Sequence, residues 1–215
     1  MIAEEATMKN LLRAGPFLAL ASLSLSLSAE LVSSQPRTNP GREEFLRSAR
    51  VVDATPVGKG ITQTWRLTLQ EGGWSHDASF QSVDEYEFLK EHPDGRREFH
   101  FVDSYRYNIA AYRLADSLGL DDLVPVSVQR SWRGRTGALT WWVDDVRMDE
   151  TERSEKRLKA PDAGDWIEQV YRACVFAQLV HDTDRNLGNL LITNEWRLWT
   201  IDFTRAFRRS KELRS

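Results

Sequence analysis

Apolar and polar residues alternate with different periods along this chain, and each change of period marks an element. Trp65, Leu67 and Leu69 alternate with polar neighbours, the pattern of a half-buried strand. Val51 and Val52 lead into the glycine-bearing stretch "PVGKGI" and Ile61 leads out of it, so residues 48–73 read as two strands around a turn. "WSHDASFQSV" (74–83) reads as a third strand. Over 103–120 the period lengthens. Ile109, Tyr112 and Leu118 share a face at helical spacing, Asp103 or Ser104 can cap the start, and Gly119 can end the helix. "LVPVSVQRSW" and "GALTWWVDD" then read as two strands about the tight turn "RGRTG". Residues 165–182 give a second helix with a wide stripe of Ile167, Val170, Tyr171, Cys174, Val175, Leu179 and Val180, predicted to face a core. The polar run "HDTDRNLGN" follows, and "NLLIT-NE-WRLWTIDF" closes the pattern as a hairpin turning at Asn194-Glu195.

These elements predict an α+β chain of two lobes. A strand-rich first lobe spans 46–147, a charged and solvated connector spans 148–165, and an abbreviated helical second lobe spans 166–215. Residues 30–45, polar with two prolines, read as a linker. The first 29 residues resemble a secretory signal peptide: Lys9 and Arg13, an apolar run from Ala14 to Leu27, then small residues at Ser28 and Ala29. That layout is better from Met8 than from Met1, so Met8 is the expected start. It predicts a secreted or periplasmic protein. A Ser-rich leader without that role would leave a cytoplasmic one.

Composition narrows the picture further. With 215 residues, 41% hydrophobic, the chain can build one domain or two small lobes, and its eight tryptophans and nine phenylalanines supply a core. The net charge of −3 excludes the basic field of a protein built to coat nucleic acid. A single cysteine, Cys174, excludes an intrachain disulfide and is expected to be a small core residue.

The chemistry concentrates at residues 184–202. Asp184 and Asn189 lie five apart in one loop, and the hairpin should bring Asn189 close to Asp202. Two oxygen-bearing side chains meeting there suit a hard cation such as Mg²⁺, which binds few protein carboxylates and shares its remaining positions with phosphates. Singly each residue is an ordinary loop residue, because Asp and Asn satisfy local backbone groups.

"VFAQLVHDTDRNLGNLLIT" followed by "WTIDFTRAF" resembles the catalytic and metal-binding loops of atypical protein-kinase-like phosphotransferases. The nearest likenesses are the phosphatidylinositol 3-/4-kinases and the secretory-pathway kinases of the Golgi casein kinase type. "YNIAAYRLADSLGLDDLVPV" is similar to the helix and strand of that family's first lobe, and "VGKGIT" stands at the place of its phosphate-covering loop. The resemblance implies a kinase-like fold, ATP and Mg²⁺ (or Mn²⁺) as cofactors, and a hydroxyl acceptor on a protein, lipid or sugar. It implies that Asp184 orients the acceptor, Arg185 braces the loop, and Asn189 and Asp202 hold the metal. Gly58, Lys59 and Gly60 would approach the phosphates, and Trp142 and Val143 would line the adenine pocket; of Trp141 and Trp142, one is expected in the core.

The pattern departs from the family at several places. Gln81 and Asn108 stand where the family carries a phosphate-binding lysine and its glutamate partner, so both ends of an ion pair are neutral amides able to hydrogen-bond each other. Lys59, or less favourably Arg205, is left to supply a cation. Thr204 stands for a glycine and Asn186 for a histidine. The sequence runs only 13 residues past Asp202, which the resemblance reads as a truncated or degenerate second lobe, or one completed by a protein partner. The alternatives to an active kinase are a pseudokinase that binds nucleotide or a protein, and an unrelated α+β module with a structural polar loop.

Overall fold

The computed structural model describes residues 38–58, 64–182 and 185–208. All of these belong to the unit Ser34–Ser215. The leader read as a signal peptide lies outside the described residues.

The first helix, α1 (Asn39–Ser48), starts at Thr38, whose hydroxyl accepts from Gly41 N at 3.4 Å, with Pro40 in the first turn. It buries Phe45 and Leu46. The linker expected through residue 45 is therefore helical from Asn39. Two adjacent apolar residues were too few to show a period.

Strands β1 (Arg50–Val57), β2 (Thr64–Glu71) and β3 (Trp74–Gln81) follow in an antiparallel run. The next two strands, β4 (Asp84–Glu91) and β5 (Arg97–Ser104), pair only with each other, across the turn His92–Arg96. Sequence reasoning missed this hairpin, although Pro93-Asp94-Gly95 is a turn signal and Gly95 takes φ +82°. Ser104 ends β5 and caps α2 (Tyr105–Ser117), accepting from Arg106 N at 3.3 Å. Gly119 reverses the chain beyond that helix at φ +69°. The buried face of α2 is Asn108, Ala111, Tyr112 and Ala115, while Leu118, expected on it, is exposed.

β6 (Ser127–Trp132) and β7 (Arg135–Trp141) turn at Arg133 and Gly134, both with positive φ as a two-residue hairpin requires. They complete a five-stranded antiparallel sheet in the order β1-β2-β3-β7-β6. Leu67, Leu69, Ala78, Phe80 and Leu139 of this sheet pack with α1 and α2 in the core. At one end Trp74, His76 and Trp141 stack, with His76 and Trp141 centroids 3.9 Å apart. Gly137 of β7 permits a close strand approach: a Cβ there would fall 2.3 Å from the Gln81 carbonyl oxygen.

The second half has its own sheet. β8 (Val146–Asp149) leads directly into α3 (Glu150–Glu155), which Asp149 caps by accepting from Glu152 N at 2.9 Å. The charged stretch 148–165 thus carries ordered structure where a solvated connector was expected. The reason is charge spacing: Glu150 pairs with Arg153 and Glu152 with Lys156, at helical separations. Next, α4 (Ala163–Leu179) is capped by Asp162. β9 (Leu190–Thr193) and β10 (Leu198–Thr200) form the predicted hairpin, and the sheet order is β10-β9-β8.

α4 and its end bury only part of the predicted stripe: Val180 is buried and Val170 packs half-buried against the core. Gln169, Ala173, Phe176 and the following Val180 point inward, whereas Ile167, Tyr171, Val175 and Leu179 are exposed, as is Cys174. A polar Gln169 faces in because its amide closes the second sheet: Oε1 accepts from Leu198 N at 2.8 Å and Nε2 donates to Trp196 O at 3.1 Å.

Candidate functional site

The end of β3, the start of α2, the end of β7, and the segments flanking β9 and β10 enclose a cleft of about 390 Å³. Its walls are largely apolar, with Val57, Val124, Val143, Val146 and Leu191 among them. Gln81, Asn108, Asn189 and Asp202 supply polar groups. An apolar pocket with a few convergent polar side chains is the ordinary form of a small-molecule site.

The sequence brings Asn189 and Asp202 together through local hydrogen bonding. A single 3-10 turn, Leu187–Asn189, delivers Asn189 to the start of β9. Ile201 N then donates to Asn189 O at 3.0 Å, locking the two loop ends side by side. Arg185 fastens both. Its guanidinium donates to Ile201 O at 2.6 Å, to Asp202 O at 3.3 Å and to Asn189 O at 3.4 Å, pairs with the buried Asp182 carboxylate, and lies 4.4 Å over the Phe203 ring. Only a planar, multi-donor cation can serve so many acceptors at once. Arg185 thus ties the backbone on both sides of the loop to the Asp182 carboxylate. Asp202 itself sits at φ +58°, sparsely populated by non-glycine residues, and accepts from the Thr204 hydroxyl at 3.2 Å.

The two amides that replace the expected ion pair are hydrogen-bonded to each other. Asn108 Nδ2 donates to Gln81 Oε1 at 2.6 Å, and Asn108 Oδ1 accepts from Phe203 N at 2.6 Å. One buried amide thus joins β3, α2 and the segment after β10. Of the adjacent tryptophans, Trp141 is 6% exposed and stacks in the core, while Trp142 is half-buried, donates its backbone N–H to Asp77 O at 3.1 Å, and carries Arg66 at 4.6 Å over its ring. Both touch the cleft, together with Val143.

Other expected site residues are placed differently. Gly58 is exposed and does not line the cleft; its neighbour Val57 does. Open space surrounds its Cβ position, so glycine is not sterically required there. Arg205 points away from the cleft, bonded to Glu98 at 2.7 Å and resting 4.0 Å over Phe101. Lys59, Gly60 and Asp184 lie outside the described residues. Sequence reasoning also missed Asp149, which lines the cleft while capping α3, and the buried Asp182–Arg185 pair. Their signal was present only as an Asp before an acidic helical turn and an i, i+3 charge pair.

The donor set fits a hard divalent cation that takes part of its shell elsewhere. Among the described residues no cluster of three or more His, Cys, Asp or Glu could by itself cage a metal. One carboxylate and one amide oxygen are what Mg²⁺ asks of a protein when phosphates and water complete the octahedron.

No protein-family model matches the chain, and no curated protein does. Solved structures do. The chain is similar to the PknI kinase domain of Mycobacterium tuberculosis at 13% identity and a TM-score of 0.39, over 73% of this chain and 62% of that one. A double mutant of the same domain gives 15%, 0.41, 75% and 62%. The chain thus spans about 60% of the kinase domains it matches. A likeness this loose leaves function to the chain's own residues.

Proposed function

We propose that the cleft is a nucleotide site and that the protein is a kinase-like phosphotransferase, using ATP and Mg²⁺ or Mn²⁺ on a hydroxyl of a protein, lipid or sugar. The observation that carries this is the meeting of Asn189 and Asp202 in an apolar-walled cleft, held in register by Arg185. In this reading the valines and Leu191 sandwich the base, and Trp142 and Val143 edge it. Asn189 and Asp202 hold the cation, which when bound offsets phosphate charge. Asp184, one loop away in sequence, orients the acceptor hydroxyl, and Lys59 with Gly60 covers the phosphates.

The experiment is a thermal-shift titration with ATP, with and without Mg²⁺ or Mn²⁺. At a hundredfold excess over Kd, binding stabilises by about 2.7 kcal/mol, roughly 5–11 °C for a protein of this size. The shift should need the cation and fall to the cation-free level in Asp202→Ala. An unchanged response in that variant refutes the assignment.

One observation favours a second reading, a pseudokinase that binds nucleotide without efficient transfer. The Gln81–Asn108 pair is neutral and already satisfied by Phe203 N, so it offers no charge to the phosphates. Single-turnover transfer of labelled phosphate separates the two: a cation-dependent shift without transfer to water or any acceptor supports the pseudokinase.

A further inference from the structure

Thr204 follows Asp202 by two residues and has no part in the roles assigned above. It is 5% exposed, between Phe203 at 2% and Ala206 at 0%. Its carbonyl oxygen accepts from Ser104 N at 2.9 Å, which pins it to the end of β5. Its hydroxyl donates to Asp202 Oδ1 at 3.2 Å. Next to Ser104, Asp103 keeps a buried Oδ1 without a hydrogen-bond partner among the described residues. A hydroxyl has one proton to give. Its assignment to Asp202 anchors Oδ1 and limits the rotation of that carboxylate, which lines the cleft.

We propose that Thr204 is a positioning residue that sets the cation preference of the site, by anchoring Asp202 Oδ1 and so fixing the rotation of the carboxylate that meets the cation. This rests on the cation reading of Asn189 and Asp202. The physical reason is the difference between the common hard cations. Mg²⁺ demands a tight octahedron and takes carboxylates through single oxygens, whereas Ca²⁺ is larger, flexible in geometry and readily takes both oxygens of one carboxylate. A carboxylate whose rotation is fixed by a buried hydroxyl suits single-oxygen coordination, whereas turning both oxygens toward a larger cation strains that anchor. The left-handed backbone at Asp202 makes the anchor more important, because φ +58° alone leaves the side-chain rotamer unspecified.

The test uses the full chain and measures ATP affinity by calorimetry in Mg²⁺, Mn²⁺ and Ca²⁺ separately. For the parent protein, Mg²⁺ should support tighter binding than Ca²⁺. Thr204→Val, nearly isosteric, should lower affinity in Mg²⁺ by about tenfold, the weight of a charge-assisted hydrogen bond. Affinity in Ca²⁺ should hold or rise, narrowing the ratio. Thr204→Ser, which restores the donor, should return the parent ratio, and Thr204→Ala serves in place of the valine variant should that one not fold. A merely structural threonine would lower affinity in every cation alike. An unchanged Mg²⁺ to Ca²⁺ ratio in the valine or alanine variant, or a serine variant that fails to restore it, overturns the proposal and leaves the cation site standing. No cation dependence in the parent protein overturns both.

Discussion

Asn108 is the residue whose removal tests the internal logic of the site most directly. It is 5% exposed and uses both ends of its amide, giving Nδ2 to Gln81 and taking Phe203 N on Oδ1, each at 2.6 Å. In Asn108→Ala the Phe203 N–H, which is buried, loses its only acceptor among the described residues. An orphaned buried donor costs about 1–3 kcal/mol. The lost neutral bond to Gln81 adds about 0.5–1.5 kcal/mol, toward the lower end because Gln81 borders the cleft and can turn to water. The sum is about 2–4 kcal/mol, or roughly 4–16 °C in Tm for a domain of this size. Urea and thermal unfolding measure it. Asn108→Asp keeps the acceptor for Phe203 N, and the Gln81 amide can rotate to donate, so its loss should be clearly smaller. If Asn108→Ala melts within 2 °C of the parent, the amide does not join the two halves and the account of the site is wrong.

Three further outcomes follow from other contacts. Arg185→Met should cost about 3–5 kcal/mol in urea unfolding, because it removes the guanidinium that pairs with the fully buried Asp182 side chain and holds three backbone carbonyls; Arg185→Lys should fall between, since an ammonium cannot span the same carbonyls. Gly137→Ala should destabilise by about 1–3 kcal/mol, because its Cβ meets the Gln81 carbonyl at 2.3 Å and the Phe80 ring at 2.8 Å, and should weaken any ATP-dependent thermal shift alongside. Stability should decline in acid through Glu43. Burial pushes that carboxyl up, but hydrogen bonds from Tyr112, Arg47 and Arg113 together outweigh it and hold it below its ordinary value. A carboxyl lowered in the folded state stabilises fully above its unfolded value and loses that contribution as pH falls through the folded one. Denaturation from pH 7 downward should therefore show a loss below about pH 4 that Glu43→Gln flattens.

Period and turn chemistry made much of the α+β plan legible. The strands from 50 to 81, the Arg133-Gly134 turn and the final hairpin all carry local signals that tertiary packing then respects. The site was legible in part for the same reason: a hairpin must return its ends together, and Asn189 and Asp202 are those ends. What failed was information held between elements. Gln169 looks like a surface residue of α4 until Leu198 N and Trp196 O need its amide, and that need turns Ile167 and Tyr171 outward. The β4–β5 hairpin hid because its strands have apolar residues on both faces, with Tyr86, Phe88 and Phe99 exposed, so alternation gave no inside and outside. The Thr204–Asp202 bond joins residues two apart in one loop, and no periodicity reports a hydroxyl's direction.

The placement of two adjacent tryptophans along the cleft has a practical side. Trp141 lies stacked on an imidazole and a second indole, while Trp142 sits half in solvent under a guanidinium. Their emission is therefore tuned by different quenchers, and both border the space a ligand would fill. A ligand entering that space should therefore alter their emission, which a fluorescence titration with no dye attached would read.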